Sequence, residues 1–202
     1  VWPLIPQGNG HQISHYYGDY EGQIYGLHPE FDLPASAGTS VYAPITGVVR
    51  YVKREDNLNP DAIYSNHIEI CESVSDTNHF WLLGHIYSID TTYKGALEYA
   101  STFPESVTVV PNTDFYCGKI CNWPSSPSGG VVSHLALAYY DVDYLRTNTQ
   151  YCFPSNPFVK GLLPLPSMVP VVDSIIIRKD NSHSIDDNIQ GSIIWGNIDI
   201  IA

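Results

Sequence analysis

His28 and Asp32 stand four residues apart, and a chain that turns inward between them can aim an imidazole and a carboxylate at one divalent cation. Two further histidines, His85 and His134, belong to the apolar runs 80–86 and 131–140. A hydrolytic zinc site needs about three protein ligands and an open position for water. It also uses a nearby imidazole to move a proton or to steady an oxyanion. In this reading His28, Asp32 and one more group hold the metal, while His85 and His134 serve the water and the substrate carbonyl. The chemistry these residue types point to is zinc-assisted hydrolysis.

The elements that must position these groups read as strands. Val41, Val48, Val49 and Val52 alternate loosely across 41–53, giving two short strands about the turn Pro44-Ile45-Thr46-Gly47. Residues 67–71 alternate with period two, as a half-buried strand does. The less polar run 80–86 reads as one central strand ending at His85. Residues 131–140 are the last strong strand of the main unit; along it His134, Ala136 and Ala138 face one way, and Leu135, Leu137 and Tyr139 the other. The Gly-rich stretch 1–27 reads as an arm packed beside the first strand. Residues 90–130 read as an irregular insertion, with a helical turn or two near 93–99 and Pro/Ser-rich loops after it.

The expected fold is therefore all-β, with antiparallel sheets forming a groove, a loop insertion and a C-terminal β segment. Residues 1–152 form the main domain, the proline-rich 153–170 a linker, and 171–202 further strands over 171–177 and 192–195, as at the start of a second β-sandwich module. The first residue is Val1 and the last residues read as strand, so we expect a processed chain or a piece of a longer one that continues past Ala202.

Charge narrows the function. The net charge is −12, and only 15% of residues are charged. Nucleic acid and anionic membrane surfaces repel such a chain, and no run of eighteen apolar residues offers a membrane span. Self-association is not readable. The low charge suits an extracellular or cell-surface setting. The four cysteines, Cys71, Cys117, Cys121 and Cys152, allow three pairings, with Cys117–Cys121 one option. Disulfides are the favoured reading and reduced structural cysteines the second. A zinc knuckle lacks a second close pair.

Taken in order, these motifs resemble the lysostaphin-type (LytM-like) zinc endopeptidases, which cut peptide cross-links in bacterial cell walls. The resemblance rests on His28-x-x-x-Asp32, on Gly38-Thr39-Ser40-Val41-Tyr42-Ala43, on Gly47-Val48-Val49, on Asn66-His67-Ile68-Glu69-Ile70, on Leu83-Gly84-His85-Ile86 and on Ser133-His134-Leu135-Ala136-Leu137. It covers roughly residues 1–141. It implies zinc on His28 and Asp32, and catalytic roles for His85 and His134. The family's third ligand is a second His in the last motif, and this chain has Ala136 there; the family glycine inside the first motif is Glu30. The methyl of Ala136 stands where an imidazole should offer nitrogen, so zinc is expected to be weakly held or absent.

Two functions follow. Ala136 favours a peptidase-like domain with an impaired zinc site, acting as a binding, regulatory or structural module of an extracellular assembly, with a cell-wall peptide or another surface protein as partner. The alternative is an active zinc endopeptidase hydrolysing peptidoglycan cross-link peptides, which the retained His28, Asp32, His85 and His134 favour.

Overall fold

The computed structural model describes residues 1–8, 10–15, 28, 30–76, 78–95, 106–123 and 133–141, and the backbone alone of 154–155, 176–179 and 198–201. Two compact units divide the chain, Val1–Ser167 and Met168–Ala202. The first carries β1 (Phe31–Pro34), β2 (Ser40–Tyr42), β3 (Gly47–Arg54), β4 (Asn66–Cys71), β5 (His79–Gly84), β6 (Ile86–Tyr87), β7 (Val109–Val110), β8 (Tyr116–Ile120), β9 (His134–Asp141) and β10 (Pro154–Ser155). The second holds an antiparallel pair, β11 (Ile176–Lys179) with β12 (Ile198–Ile201). All elements among the described residues are strands and all pairings are antiparallel, so the protein is all-β. Among those residues no helix is long and apolar enough to cross a membrane.

In the larger sheet the strands run β1-β9-β5-β4-β3-β7, with β10 also on β9; the smaller sheet runs β2-β8-β6. One core joins the two. Val41, Ile86, Cys117 and Ile120 from the small sheet cluster with Phe31, Leu33, Val49, Ile68, Ile70, Trp81, Leu83, Leu135 and Leu137 from the large one. The pairings Phe31↔Leu137, Leu33↔Leu135 and Leu83↔Leu137 set these apolar side chains side by side on one face. The opposite face of the same strands is then left for Asp32, Gly84, His134 and Ala136. Trp2, Leu4 and Ile13 of the leading arm are buried in that core too, which pins the arm against β1.

Several expectations need correction. The stretch 90–130 contains β7 and β8, and β8 is the middle strand of the small sheet. Its pairing shifts register at Val41/Tyr42, where Gly118 has φ 155°, and that irregularity hides the alternation in the sequence. No helical turn occurs over residues 93–95; residues 96–99 lie outside the described ones. The single strand expected over 80–86 is broken. β5 ends at Gly84, His85 takes φ 56°, and β6 begins at Ile86 in the other sheet. Positive φ costs a non-glycine residue of order 1 kcal/mol, and here it carries the chain from one sheet to the next. Of the strands expected at 171–177 and 192–195, only residues 176–177 fall among the described ones, within β11.

The disulfide reading also fails among the described residues, where Cys71, Cys117 and Cys121 are free and buried; Cys152 lies outside them. Four residues along an extended strand span roughly 13 Å, about twice the Cα separation that a disulfide tolerates. Burial pushes the Cys71 thiol up to about 11 and the Cys121 thiol up to about 12. Trp81 is buried in the core beside Tyr139.

Candidate metal centre

Four buried polar residues meet where β1, β9 and the β5–β6 junction come together: His28, Asp32, His85 and His134. Asp32 opposes Ala136 across the β1–β9 ladder and His134 opposes Pro34, so the Asp32 and His134 side chains lie diagonally on the same face. The Nε2 atoms of His28 and of His134 each stand 3.5 Å from Oδ1 of Asp32. That oxygen is buried and accepts no hydrogen bond.

The two contacts on Asp32 have the dimensions of coordination-shell edges. Ligands placed tetrahedrally at about 2.0–2.1 Å from one zinc stand about 3.3–3.4 Å apart. The two edges found here, 3.5 Å each, match that within a small contraction. Tautomer chemistry points the same way. The ring Nδ1 of His28 lies 2.6 Å from the carbonyl oxygen of Glu30. A carbonyl only accepts, so Nδ1 carries the hydrogen, and in neutral His28 the lone pair on Nε2 faces the Asp32 carboxylate. Two acceptors turned toward each other in a buried space are costly, and a cation between them would relieve that cost. A ligand histidine fixed from behind by a backbone carbonyl is the usual outer support of a metal site. Donor atoms of His28, Glu30 and Asp32 all lie within 4.8 Å of one another and form the metal-capable group among the described residues; His134 is 3.5 Å from Asp32 but is not part of that group.

His85 belongs to the chemistry beside this group. Its Nδ1 donates to the carbonyl of Ile63 at 2.8 Å, which leaves Nε2 as an acceptor. That Nε2 lies 4.0 Å from Oε1 of Glu30. Burial lowers the His85 imidazole to about 4, against the opposing pull of its bond to Ile63. It is thus neutral at ordinary pH, with a lone pair ready to take a proton. Its ring packs edge-on against His134 at 5.0 Å and against Trp123 at 4.9 Å. Trp123 leans over His134 at 4.6 Å, and the exposed Tyr64 touches both His85 and Trp123.

All four residues read from the sequence thus come together. Ala136, at the position where the resemblance expects a third ligand, is buried between Asp32 on β1 and Gly84 on β5. His134 lies as close to the Asp32 carboxylate as His28 does, a placement that its expected catalytic role does not require. Sequence reasoning missed His15. Its Nδ1 stands 3.0 Å from Oδ2 of Asp32. No spacing signal links residues 15 and 32; only the pairing of the arm with β1 brings them together. His79 bridges Asp76 and Asp141 at the far end of β5 and β9.

No family model and no curated protein matches the chain. Among solved structures it is similar to a mutant catalytic domain of EnpA, a prophage-encoded M23 protein from Enterococcus faecalis; identity is 17%, 72% of this chain and 88% of that one are covered, and the TM-score is 0.41. LytU gives 16% identity over 77% of this chain and 88% of its own, with TM-score 0.44. The catalytic domain of the antimicrobial peptidase lysostaphin from Staphylococcus simulans gives 18% over 74% and 91%, with TM-score 0.43. Identities this low leave the chemistry to be argued from this chain's own residues.

Proposed function

We propose that the domain is a zinc-binding, peptidase-like module of an extracellular or cell-surface protein, which binds bacterial wall cross-link peptides and hydrolyses them poorly. The observation that carries the metal part is the buried Oδ1 of Asp32, without a hydrogen bond and 3.5 Å from two imidazole nitrogens. His28 and Asp32 would hold the ion, with Glu30 completing the group and His134 beside the Asp32 carboxylate. A bound zinc would supply a Lewis acid for a peptide carbonyl or for water. His85, neutral and fixed through Nδ1, would accept the proton that an attacking water gives up. With no side-chain donor at Ala136, the ion would lack the third ligand that the motif resemblance implies, and this is why hydrolysis should be poor. The peptide substrate class comes from the motif resemblance across residues 1–141.

The second reading is an efficient endopeptidase. Its specific support is the neutral His85 poised beside the metal group. Calorimetric titration of chelator-treated protein with zinc tests the shared part: one site is expected, lost in His28→Ala and Asp32→Ala. Absence of zinc binding by the wild type would refute both readings. Hydrolysis of purified wall peptides then separates them, since turnover abolished by His85→Ala and unimproved by Ala136→His would favour the efficient enzyme.

A further inference from the structure

We infer that His15 is a positioning residue of this centre: by donating from Nδ1 to Oδ2 of Asp32, it assigns Oδ1 to the cation. The inference rests on the metal reading above. The contact is 3.0 Å, between a half-exposed imidazole and a carboxylate whose side chain is only 7% exposed. A carboxylate only accepts, so Nδ1 must carry the hydrogen.

The backbone makes the clamp specific. Asp32 donates its N–H to the carbonyl of His15 at 3.0 Å, and the N–H of Ser14 donates to the carbonyl of Asp32 at 3.0 Å. His15 and Asp32 are therefore an antiparallel bridge pair, whose side chains leave on one side. The arm carrying His15 is anchored by Trp2, Leu4 and Ile13 in the core, so the donor arrives from a fixed direction. The His15 ring sits 5.6 Å from the His28 ring, one layer outside the ligand shell.

A carboxylate free to turn about its last torsion presents either oxygen, or both, to a metal. With Oδ2 engaged by His15, Oδ1 alone faces His28 and His134, at the two equal distances found. Through His15 the leading arm thereby becomes part of the metal centre.

Two substitutions separate the hydrogen bond from the bulk of the ring. His15→Phe keeps a ring beside His28 and removes the donor; His15→Asn removes the ring but can place its amide nitrogen near the position of Nδ1. Zinc affinity is measured by competition with a chromophoric chelator, and the visible spectrum of the cobalt(II)-loaded protein reports ligand geometry. His15→Phe should weaken zinc by about 10- to 100-fold and change the cobalt spectrum, as loss of an outer hydrogen-bond partner does. His15→Asn should stay within a few-fold of wild type with an unchanged spectrum. Melting in chelator checks that both fold, with His15→Ala as a second donor-free variant. Wild-type affinity in His15→Phe, or equal loss in His15→Phe and His15→Asn, would overturn the inference. If the wild type binds zinc and His28→Ala does not, that failure belongs to His15 alone; if the wild type binds none, the metal reading falls with it.

Discussion

Exchanging Asp32 for Asn is expected to stabilise the metal-free domain and to make it blind to zinc. In the folded chain Oδ1 of Asp32 is buried, has no hydrogen bond, and stands 3.5 Å from the Nε2 atoms of His28 and His134. A buried acceptor left unsatisfied costs about 1–3 kcal/mol. In Asp32→Asn the amide oxygen can still accept from His15, which turns the NH2 toward the lone pair on His28. A repulsive pair of acceptors becomes a hydrogen bond. A gain of about 1–2 kcal/mol follows, or roughly 2–8 °C in Tm for a domain of this size. Zinc reverses the order. At a hundred times its Kd, the wild type gains about 2.7 kcal/mol, or roughly 5–11 °C. The variant, whose amide nitrogen is no ligand, gains little. Thermal melts at pH 8, in EDTA and in excess zinc, should therefore cross: Asp32→Asn higher in chelator, wild type higher in zinc. A variant that melts below wild type in EDTA, or that rises with wild type in zinc, would refute the reasoning.

Ala136→His should tighten zinc at least tenfold by adding a donor opposite Asp32, while destabilising the metal-free domain by about 1–3 kcal/mol through overpacking; an unchanged zinc isotherm would show that residue 136 does not face the centre. Stability should fall as the pH drops below the ordinary imidazole value of 6.5, because burial holds both His67 and His85 at about 4 in the folded chain. Between those values the unfolded chain binds more protons, so stability is full above about 6.5 and declines toward 4, by about 3 kcal/mol per group. Urea midpoints at pH 7.5 and 4.5 measure this, and His67→Gln should remove about half of the decline. Gly47→Ala should prevent folding, since at φ 151° its Cβ would overlap the carbonyl oxygen of Cys71; a native circular-dichroism spectrum and melt in that variant would contradict the placement of the β2–β3 turn.

How much of this was legible depended on whether a feature was local. β3 and β4 were legible from alternation, and β5 and β9 from their short apolar runs. β8 was not legible: it is five residues long, its register is interrupted near Gly118, and it lies in a stretch dominated by Pro and Ser. The break at His85 was hidden for a similar reason, since nothing in the run 80–86 signals a positive φ at a histidine. His28, Asp32, His85 and His134 could be picked out by order and spacing. His15 could not, because a cross-chain pairing, rather than a motif, brings it to Asp32. The cysteines misled because an even count suggests bridges, whereas the strand geometry of Cys117 and its neighbours keeps them apart.

β9 is hydrogen-bonded on both edges, to β1 and to β5. Each of its residues therefore has its facing fixed twice over, and a slip by one place would push Leu135 and Leu137 toward the ions and His134 into the grease. The frame cannot drift, so the only freedom left to such a centre is exchange of single side chains in place. A donor placed at residue 136 would meet a scaffold already fixed to receive it.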